Sequence, residues 1–205
     1  MECYRISQEN IEHIIINKSH QTEKHDKEIA LLAEIHNNLA GATTEYNDAD
    51  TAKSHFLTYN KMLKNEHEGQ KDVKDSRLTS SFFNVGMSFM MKGEFENSIV
   101  WLKQALTEAE RLVDVEKVKS ARSLALTNLA LAYWLMDRQE EASEKLKTAL
   151  KEREDLFGPN DRQSMITGRV LYGLGNVRHS QGLLDESLAY HQRALLHFKE
   201  TVGNN

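Results

Sequence analysis

The sequence has a single cysteine, a single proline and fewer basic than acidic residues. Because one cysteine, Cys3, cannot form a disulfide within the chain, the class of small secreted domains held together by disulfides is excluded. One proline and 10 glycines in 205 residues exclude collagen-like and proline-rich low-complexity chains. The 26 lysines and arginines against 31 aspartates and glutamates leave a formal net charge of −5. This balance argues against a protein that coats nucleic acid through a basic surface.

Long hydrophobic runs are also missing. No uncharged stretch approaches the roughly 18 to 20 apolar residues of a bilayer span, and no charged-then-apolar signal segment opens the chain. Even the isoleucines at 14–16 are flanked by His13 and Lys18. These absences predict a cytoplasmic protein without a membrane span. With 40% hydrophobic residues, the chain still has enough apolar side chains for a core.

What the sequence does contain is a fourfold internal repeat. In each copy, a small residue in one apolar-periodic segment is followed 12 residues later by a small residue in a second segment. The four pairs are Ala40 and Ala52, Gly86 and Ser98, Ala130 and Ala142, and Gly175 and Ser187. Successive copies are offset by 46, 44 and 45 residues. Since two helices joined by a tight turn approach closely only where both side chains are small, the spacing predicts four helical hairpins.

The pattern around these small residues resembles a known repeat. The clearest copy has Phe82, Val85, Gly86 and Phe89 in its first segment and Ser98, Leu102 and Ala105 in its second. This skeleton resembles the tetratricopeptide repeat, and the resemblance covers about residues 24–203. The copies are about ten residues longer than the usual 34 of that repeat. In this they are similar to kinesin light chains and to the repeat arrays of fungal STAND-class signalling proteins.

The resemblance implies an all-α fold, a right-handed α-solenoid of about four antiparallel helix-turn-helix repeats. The repeats are expected at about 24–68, 75–115, 117–158 and 161–203. Residues 1–23 are expected to form an orphan helix, the remnant of a preceding repeat, because they match the second-helix pattern one repeat length earlier. Uncapped terminal helices expose an apolar stripe, so self-association through them is a further expectation. On the last helix that stripe is expected to include Leu188, Leu195 and Phe198.

No set of residues has the spacing of a catalytic or metal site. The nine histidines form no His-x-x-x-His pair, and a single cysteine cannot form a Cys-x-x-Cys pair. The segment Gly173-Leu174-Gly175 has neither the preceding strand nor the following Lys-Ser/Thr of a phosphate-binding loop, so its glycines are interpreted as helix-packing residues. We therefore expect no enzyme activity, no cofactor and no metal.

The face of each first helix opposite its packing stripe is expected to line the concave groove of the solenoid. At 100° per residue, this face lies about 180° from the packing positions. The candidate peptide-binding residues are Glu34, Asn38 and Glu45 in the first repeat; Phe83, Asn84, Met87 and Met91 in the second; Asn128, Leu131, Trp134 and Leu135 in the third; and Arg169, Tyr172 and Asn176 in the fourth. Met90 and His179 are expected beside them.

Three asparagines, Asn38, Asn84 and Asn128, occupy the same place in successive repeats. A side-chain amide both donates and accepts hydrogen bonds, so a row of amides can pair with the backbone of an extended peptide. Similar asparagine ladders occur in peptide-binding members of the family that this sequence resembles. The alternative is that each amide bonds a neighbouring helix, because buried amides need partners in any case.

The expected groove is also graded in chemistry. It is acidic at Glu34 and Glu45, apolar in the middle and basic at Arg169. Methionine in the middle is a pliable lining that suits adaptable binding surfaces. The alternative is that these apolar residues pack under the linkers or against a neighbouring copy.

The function expected from these features is a non-catalytic protein–protein interaction scaffold that binds a peptide or helix in the concave groove. Its partner is expected to be a protein or peptide, with no nucleic acid and no membrane. The alternative is the sensor or regulatory repeat portion of a larger ATP-dependent, STAND-type signalling protein. A phosphate-binding loop upstream in a longer reading frame would favour that alternative.

Overall fold

The computed structural model describes Glu9 and residues 22–70, 73–159, 161 and 164–202. These residues form eight α-helices and no strand, as the sequence predicts. The helices are α1 (Thr22–Glu45), α2 (Ala49–Glu66), α3 (Ser76–Met91), α4 (Phe95–Ala109), α5 (Val115–Leu135), α6 (Gln139–Phe157), α7 (Met165–Ser180) and α8 (Leu184–Val202). The orphan helix expected in residues 1–23 lies outside the described residues, apart from Glu9 and the first two residues of α1.

The helices pair in chain order into four hairpins, α1–α2, α3–α4, α5–α6 and α7–α8. Every helix packs against the next one along the chain. In addition, α3 contacts α5 and α5 contacts α7, so the first helices of the last three hairpins form a continuous layer. The second helices cover the other side of that layer, which is the two-layer packing of an α-solenoid.

Each hairpin turn has three residues, and the middle one has a positive φ. These middle residues are Asn47 (59°), Gly93 (73°), Asp137 (60°) and Gly182 (75°). In all four turns the middle N–H donates to the carbonyl three residues earlier, and the next N–H donates to the carbonyl five residues earlier. Glycine reaches this left-handed region freely, and Asn and Asp tolerate it better than other residues. The fourfold repeat is therefore present in the conformation of the turns as well as in the spacing of the small residues.

The small residues lie where the two helices of each hairpin touch, as the 12-residue spacing predicts. Ala40, Ala52, Ala130 and Ala142 are fully buried. A Cβ added to Gly86 would lie 2.9 Å from the Cγ of Leu102. In the last hairpin, the Ser187 hydroxyl donates to the Gly175 carbonyl at 2.9 Å.

The connection between the second and third hairpins differs from expectation. The absence of Gly and Pro in residues 111–119 predicts only a brief kink, but α4 ends at Ala109 and α5 begins at Val115. The reason is Asp114, whose carboxylate accepts the backbone N–H groups of Glu116 and Lys117. An N-cap of this kind starts a new helix without any helix-breaking residue before it.

The connection between the third and fourth hairpins is held by a buried ion pair. Arg153 on α6 is 1% exposed and pairs with Asp161 in the connection. Its guanidinium lies 4.2 Å from the ring centroid of Phe157 and donates to the Thr167 hydroxyl on α7 at 3.1 Å. The Thr167 hydroxyl donates in turn to Asp161 at 2.6 Å. One charged cluster therefore ties α6, the connection and α7 together.

The exposed stripe expected on the last helix is present in part. Leu188 and Leu195 on α8 are 58% and 56% exposed, and Leu184 is 62% exposed. Phe198, however, is half-buried, because its ring closes over Gly168, where an added Cβ would lie 2.6 Å from the ring. Self-association through this stripe stays a prediction.

Asp75 caps α3 and joins it to the first hairpin. Its carboxylate accepts the backbone N–H of Arg77 at 2.8 Å, the Arg77 Nε at 2.9 Å and the His67 Nε2 at 3.0 Å. Partial burial acts to raise the pKa of Asp75, but the hydrogen bonds from Arg77 and His67 outweigh it, so the pKa lies below its ordinary value. The ionised carboxylate is thus more stable in the folded chain than in the unfolded one.

This lowered pKa predicts an acid-dependent loss of stability. The contribution of Asp75 is present above its unfolded pKa of about 3.9 and is lost as the pH falls through its lower folded pKa. We expect Asp75→Asn to cost about 1 kcal/mol near neutral pH and little at about pH 2. Urea unfolding of the variant and the wild type across this range measures the difference. An offset that is the same at every pH would contradict the assignment.

Candidate functional site

The structure places all fourteen candidate residues on the four first helices, and none of them is buried. Those on α1 are exposed, as are Met91, Leu131, Leu135, Arg169 and Tyr172. The half-buried ones are Phe83, Asn84, Met87, Asn128, Trp134 and Asn176. Met90, which was expected beside them, is instead only 8% exposed and packs in the core with Ile99 and Leu102.

Six candidates come together around one pocket between α5 and α7. They are Asn128, Leu131, Trp134, Arg169, Tyr172 and Asn176. The pocket has a volume of about 280 Å³. Leu146 from the second helix α6 also lines it, as does Gly173 on α7. The third and fourth hairpins therefore build a concave site on the predicted face.

The other eight candidates lie outside this pocket. Leu135 borders a shallower depression shared with Trp134 and Ser180. Phe83 and Met87 pack partly against the core of the second and third hairpins, on the same layer of first helices. Ala33 of α1 shares a core cluster with Leu78 and Phe82 of α3, but the backbones of these two helices do not approach as closely as those of α3 and α5 or of α5 and α7.

The asparagine column ends at the pocket. The amide nitrogen of Asn128 donates to the carbonyl of Leu124 within its own helix at 2.8 Å. The side chains of Asn38 and Asn84 form no hydrogen bond with other residues in the described part of the chain. The alternative that each amide bonds a neighbouring helix is therefore not seen for these two. In the fourth repeat the same place is taken by Gly173.

Gly173 fits both interpretations that the sequence offers for it. Helical periodicity places it on the groove line of the fourth repeat, and as a helix-packing glycine it lies near α6, since an added Cβ would be 3.0 Å from Leu146 Cδ2. It is also half-buried on the pocket wall, and Leu146, which packs against it, is only 2% exposed. The sequence did carry a signal for this, because the place that holds asparagine in the first three repeats holds glycine in the fourth.

Both aromatic walls of the pocket are held in position. The indole Nε1 of Trp134 donates to the hydroxyl of Ser180 at 2.9 Å, which links α5 to α7. The ring of Tyr172 lies against the ring of His191 on α8, with centroids 5.3 Å apart. Walls fixed in this way lose less conformational freedom when a ligand binds.

Arg169 gives the pocket a positive charge that no described residue pairs with. Seven other arginines in the described residues form ion pairs, namely Arg77, Arg111, Arg122, Arg138, Arg153, Arg178 and Arg193. Arg169 is exposed and forms no ion pair or hydrogen bond with any residue that the structure describes. It is therefore free to bind an external carboxylate.

One group in the described part of the chain could offer three ligand atoms to a metal ion. The atoms belong to Glu66, His67 and Asp75 and lie within 4.8 Å of one another. Arg77 already binds this group, since its guanidinium lies 2.8 Å from Glu66 and 2.6 Å from Asp75. The cluster is explained as an ion-pair network at the start of α3.

Comparison with known proteins identifies the class. Residues 123–163 match the tetratricopeptide repeat family model, and this match covers most of the third hairpin, α5–α6. The resemblance seen in the sequence is thus confirmed, with a tetratricopeptide repeat in this chain. No curated protein sequence matches it. None of the described helices is both long and apolar enough to cross a bilayer.

Solved structures share the whole fold at low sequence identity. The Rap conjugation gene regulator of plasmid pLS20, in complex with the Phr* peptide, has a TM-score of 0.70 and 13% identity, over 88% of this chain and 46% of the regulator. The tetratricopeptide-like repeats of a Podospora anserina putative kinesin light chain have a TM-score of 0.66 and 14% identity, over 98% of this chain and 93% of that one. A STAND protein with a tetratricopeptide repeat sensor, from Pyrococcus horikoshii, has a TM-score of 0.65 and 16% identity, over 97% of this chain and 32% of the STAND protein. The fold is that of a long-repeat tetratricopeptide solenoid.

Proposed function

We propose that this chain is a non-catalytic protein–protein interaction scaffold that binds a peptide or helix along the face formed by α1, α3, α5 and α7. The observation that carries the proposal is the pocket between α5 and α7, with its two fixed aromatic walls and an arginine that pairs with no described residue. The similar Rap regulator, which is complexed with a peptide, supports the same use of the fold. In this proposal each hairpin belongs to one repeat, and the repeats lie at about 24–68, 75–115, 117–158 and 161–203.

The ligand's orientation follows from the charges on this face. Glu34 and Glu45, at the exposed α1 end, form no ion pair with other described residues. Arg169, at the other end, also has no ion-pair partner in the described part of the chain, and Met87 and Leu131 lie between the two ends. A matching ligand has a basic segment at α1, an apolar middle and an acidic segment at α7. Charge complementarity sets the direction, whereas apolar burial supplies most of the affinity.

The test compares apolar truncation with charge removal. A partner is captured from native lysate, identified and titrated by calorimetry against variants. The pair Met87→Ala and Leu131→Ala is expected to weaken binding by about a hundredfold or more, since each buried apolar anchor contributes roughly 1.5 to 3 kcal/mol. Glu45→Gln is expected to weaken it by about fivefold or less, because a rim charge contributes about 1 kcal/mol. For an extended ligand, replacing Asn84 and Asn128 by Ala also weakens binding.

The matched control removes exposed apolar side chains from the second helices. Val100 on α4 and Leu196 on α8 are 58% and 57% exposed, and neither lies on the layer of first helices. Val100→Ala with Leu196→Ala is expected to leave affinity unchanged. If this pair abolishes binding and the Met87 and Leu131 pair does not, the outer face is the functional one.

A second candidate function is the sensor portion of a larger STAND-type ATPase. It is favoured by the similarity to the STAND protein, of which this chain matches a 32% share. In that arrangement the same groove receives the signal and a separate ATPase domain responds. A phosphate-binding loop in the same reading frame would support this candidate.

A further inference from the structure

We propose that the exposed apolar stripe of α8 is a self-association surface, on which the α8 helices of two copies of this chain pack antiparallel about a twofold axis. The stripe consists of Leu184, Leu188, Leu195 and Val202, each more than half exposed. It lies on a second helix, so the proposal does not depend on a ligand in the groove. Three observations carry it: the equivalent positions in the earlier hairpins, the spacing of the stripe and the charges beside it.

The equivalent positions in the second hairpin are covered by the hairpin that follows. Leu188 and Leu195 lie one and eight residues after the small residue of their second helix. In α4 these two positions are Ile99 and Leu106, and both pack in a core that includes Leu129 of α5. Ile99 is 4% exposed, whereas Leu188 is 58% exposed. The same position is therefore part of a core when another helix packs on it.

The second of these positions is covered in the other two hairpins as well. In α6 it is Leu150, which is half-buried against the same core. In α2 it is Asn60, which is buried and whose amide nitrogen donates to the Ser81 hydroxyl on α3 at 2.8 Å. Among the described residues no helix follows α8, so within that part of the chain the stripe stays exposed.

The stripe has the spacing of a seam between two helices. Together with two rings, its residues follow one another at intervals of four, three, four, three and four, as Leu184, Leu188, His191, Leu195, Phe198 and Val202. This is the heptad pattern of a coiled-coil seam. The two rings pack on their own hairpin, since an added Cβ at Gly175 would lie 2.5 Å from the His191 ring and one at Gly168 would lie 2.6 Å from the Phe198 ring. The four aliphatic side chains are left to face another helix.

The charges beside the stripe select the antiparallel arrangement. Asp185 and Lys199 lie along its outer edge, 14 residues apart, and both are exposed. In an antiparallel pair with its twofold axis near Gln192, Asp185 of each copy faces Lys199 of the other. The same axis brings Leu188 of one copy beside Leu195 of the other. A parallel pair opposes like charges at both positions, so charge complementarity favours the antiparallel pair.

The other charged residues of α8 already have partners within the chain. Glu186 lies 2.9 Å from Arg178 on α7, and Arg193 lies 3.3 Å from Glu154 on α6. Glu200 also interacts with another residue of the chain. Among the described acidic residues, lysines and arginines of α8, the two beside the stripe are therefore the ones left for a second copy.

The test measures the association of the whole chain by sedimentation velocity over a concentration series. Wild type is expected to form a concentration-dependent dimer and no larger species, because a twofold contact is closed. A chain that stays monomeric would leave the stripe to a helix of a different protein and would overturn the proposal. Growth beyond the dimer would also overturn it, since a head-to-tail contact produces open assemblies.

Leu188→Ser with Leu195→Ser removes the centre of the stripe. Because each copy contributes both residues, four apolar side chains leave the contact, and association is expected to weaken by about a hundredfold or more. Both residues are more than half exposed, so helix content and the thermal midpoint of the monomer are expected to stay close to those of wild type. The matched control is Val100→Ser with Val113→Ser, at residues 58% and 72% exposed on α4 and after it. Equal association of the two double variants would overturn the proposal.

Asp185→Lys and Lys199→Asp test the direction of packing without changing the stripe. Either variant alone opposes like charges at both symmetric sites and is expected to weaken association about tenfold. A mixture of the two restores opposite charges at both sites and is expected to associate as wild type does. The matched controls are Asp155→Lys and Lys147→Asp, at exposed residues of α6. A mixture tighter than wild type would indicate parallel helices, and single variants that associate like these controls would remove the charge contact; either result overturns the proposed pair.

Discussion

Asp161→Asn is expected to destabilise the protein by about 3 to 5 kcal/mol. The substitution preserves the size of the side chain but removes its charge, which leaves Arg153 at 1% exposure without a counter-ion. A buried charge that loses its partner keeps its desolvation cost and loses the attraction that offsets it. Chemical denaturation of the variant and the wild type measures the loss in the free energy of unfolding.

Two further variants test whether the stranded charge of Arg153 causes this loss of stability. Arg153→Met in the Asp161→Asn background removes the stranded charge and is expected to recover part of the stability. Arg111→Met breaks a surface pair with Glu108, in which the arginine side chain is 55% exposed, and is expected to cost about 1 kcal/mol or less. A loss below about 1 kcal/mol for Asp161→Asn would show that this cluster does not hold the third and fourth hairpins together.

Gly86→Leu is expected to cost about 3 kcal/mol or more, at the upper end of overpacking effects. The first added atom alone would lie 2.9 Å from Leu102 Cγ and 3.3 Å from the Leu102 backbone nitrogen. Leu102 is fully buried, so relief requires α3 and α4 to separate. Thermal and denaturant unfolding are expected to shift together.

The matched control is Gly41→Leu. This glycine also lies inside a first helix, but a Cβ there would meet nothing within 4 Å. Leucine is the better helix former by up to about 1 kcal/mol, so the control is expected to be as stable as wild type or more so. Equal losses in the two variants would attribute the effect to the glycine itself and not to the hairpin contact.

The hairpins were predictable because their determinants are local. The small residues 12 apart, such as Ala40 and Ala52, belong to two helices joined by three residues, so chain connectivity already brings them together. The groove face followed from helical periodicity. Met90 departs from that periodicity because it lies near the end of α3, where its side chain packs in the core shared with the next hairpin.

The contacts between hairpins were not predictable from spacing. Arg153 and Asp161 are eight residues apart, yet nothing in the sequence separates this pair from the many exposed Arg and Asp residues around it. The same holds for Trp134 and Ser180, whose hydrogen bond joins residues 46 apart. Such partners depend on how one hairpin stacks on the next, which the linkers and the buried surfaces decide together.

The sequence by itself determined the all-α hairpin array, its register and the face that carries the candidate binding residues. Periodicity, small-residue spacing and turn residues act within about 30 residues, and each hairpin obeys them independently of the others. Only the tertiary structure decided that six of the fourteen candidates share one pocket, that Leu146 packs against Gly173 at its wall, and that Arg169 alone among the described arginines is left without an ion-pair partner. Those properties arise from the stacking of the third hairpin on the fourth, because a pocket and an unpaired charge are defined by what surrounds a residue.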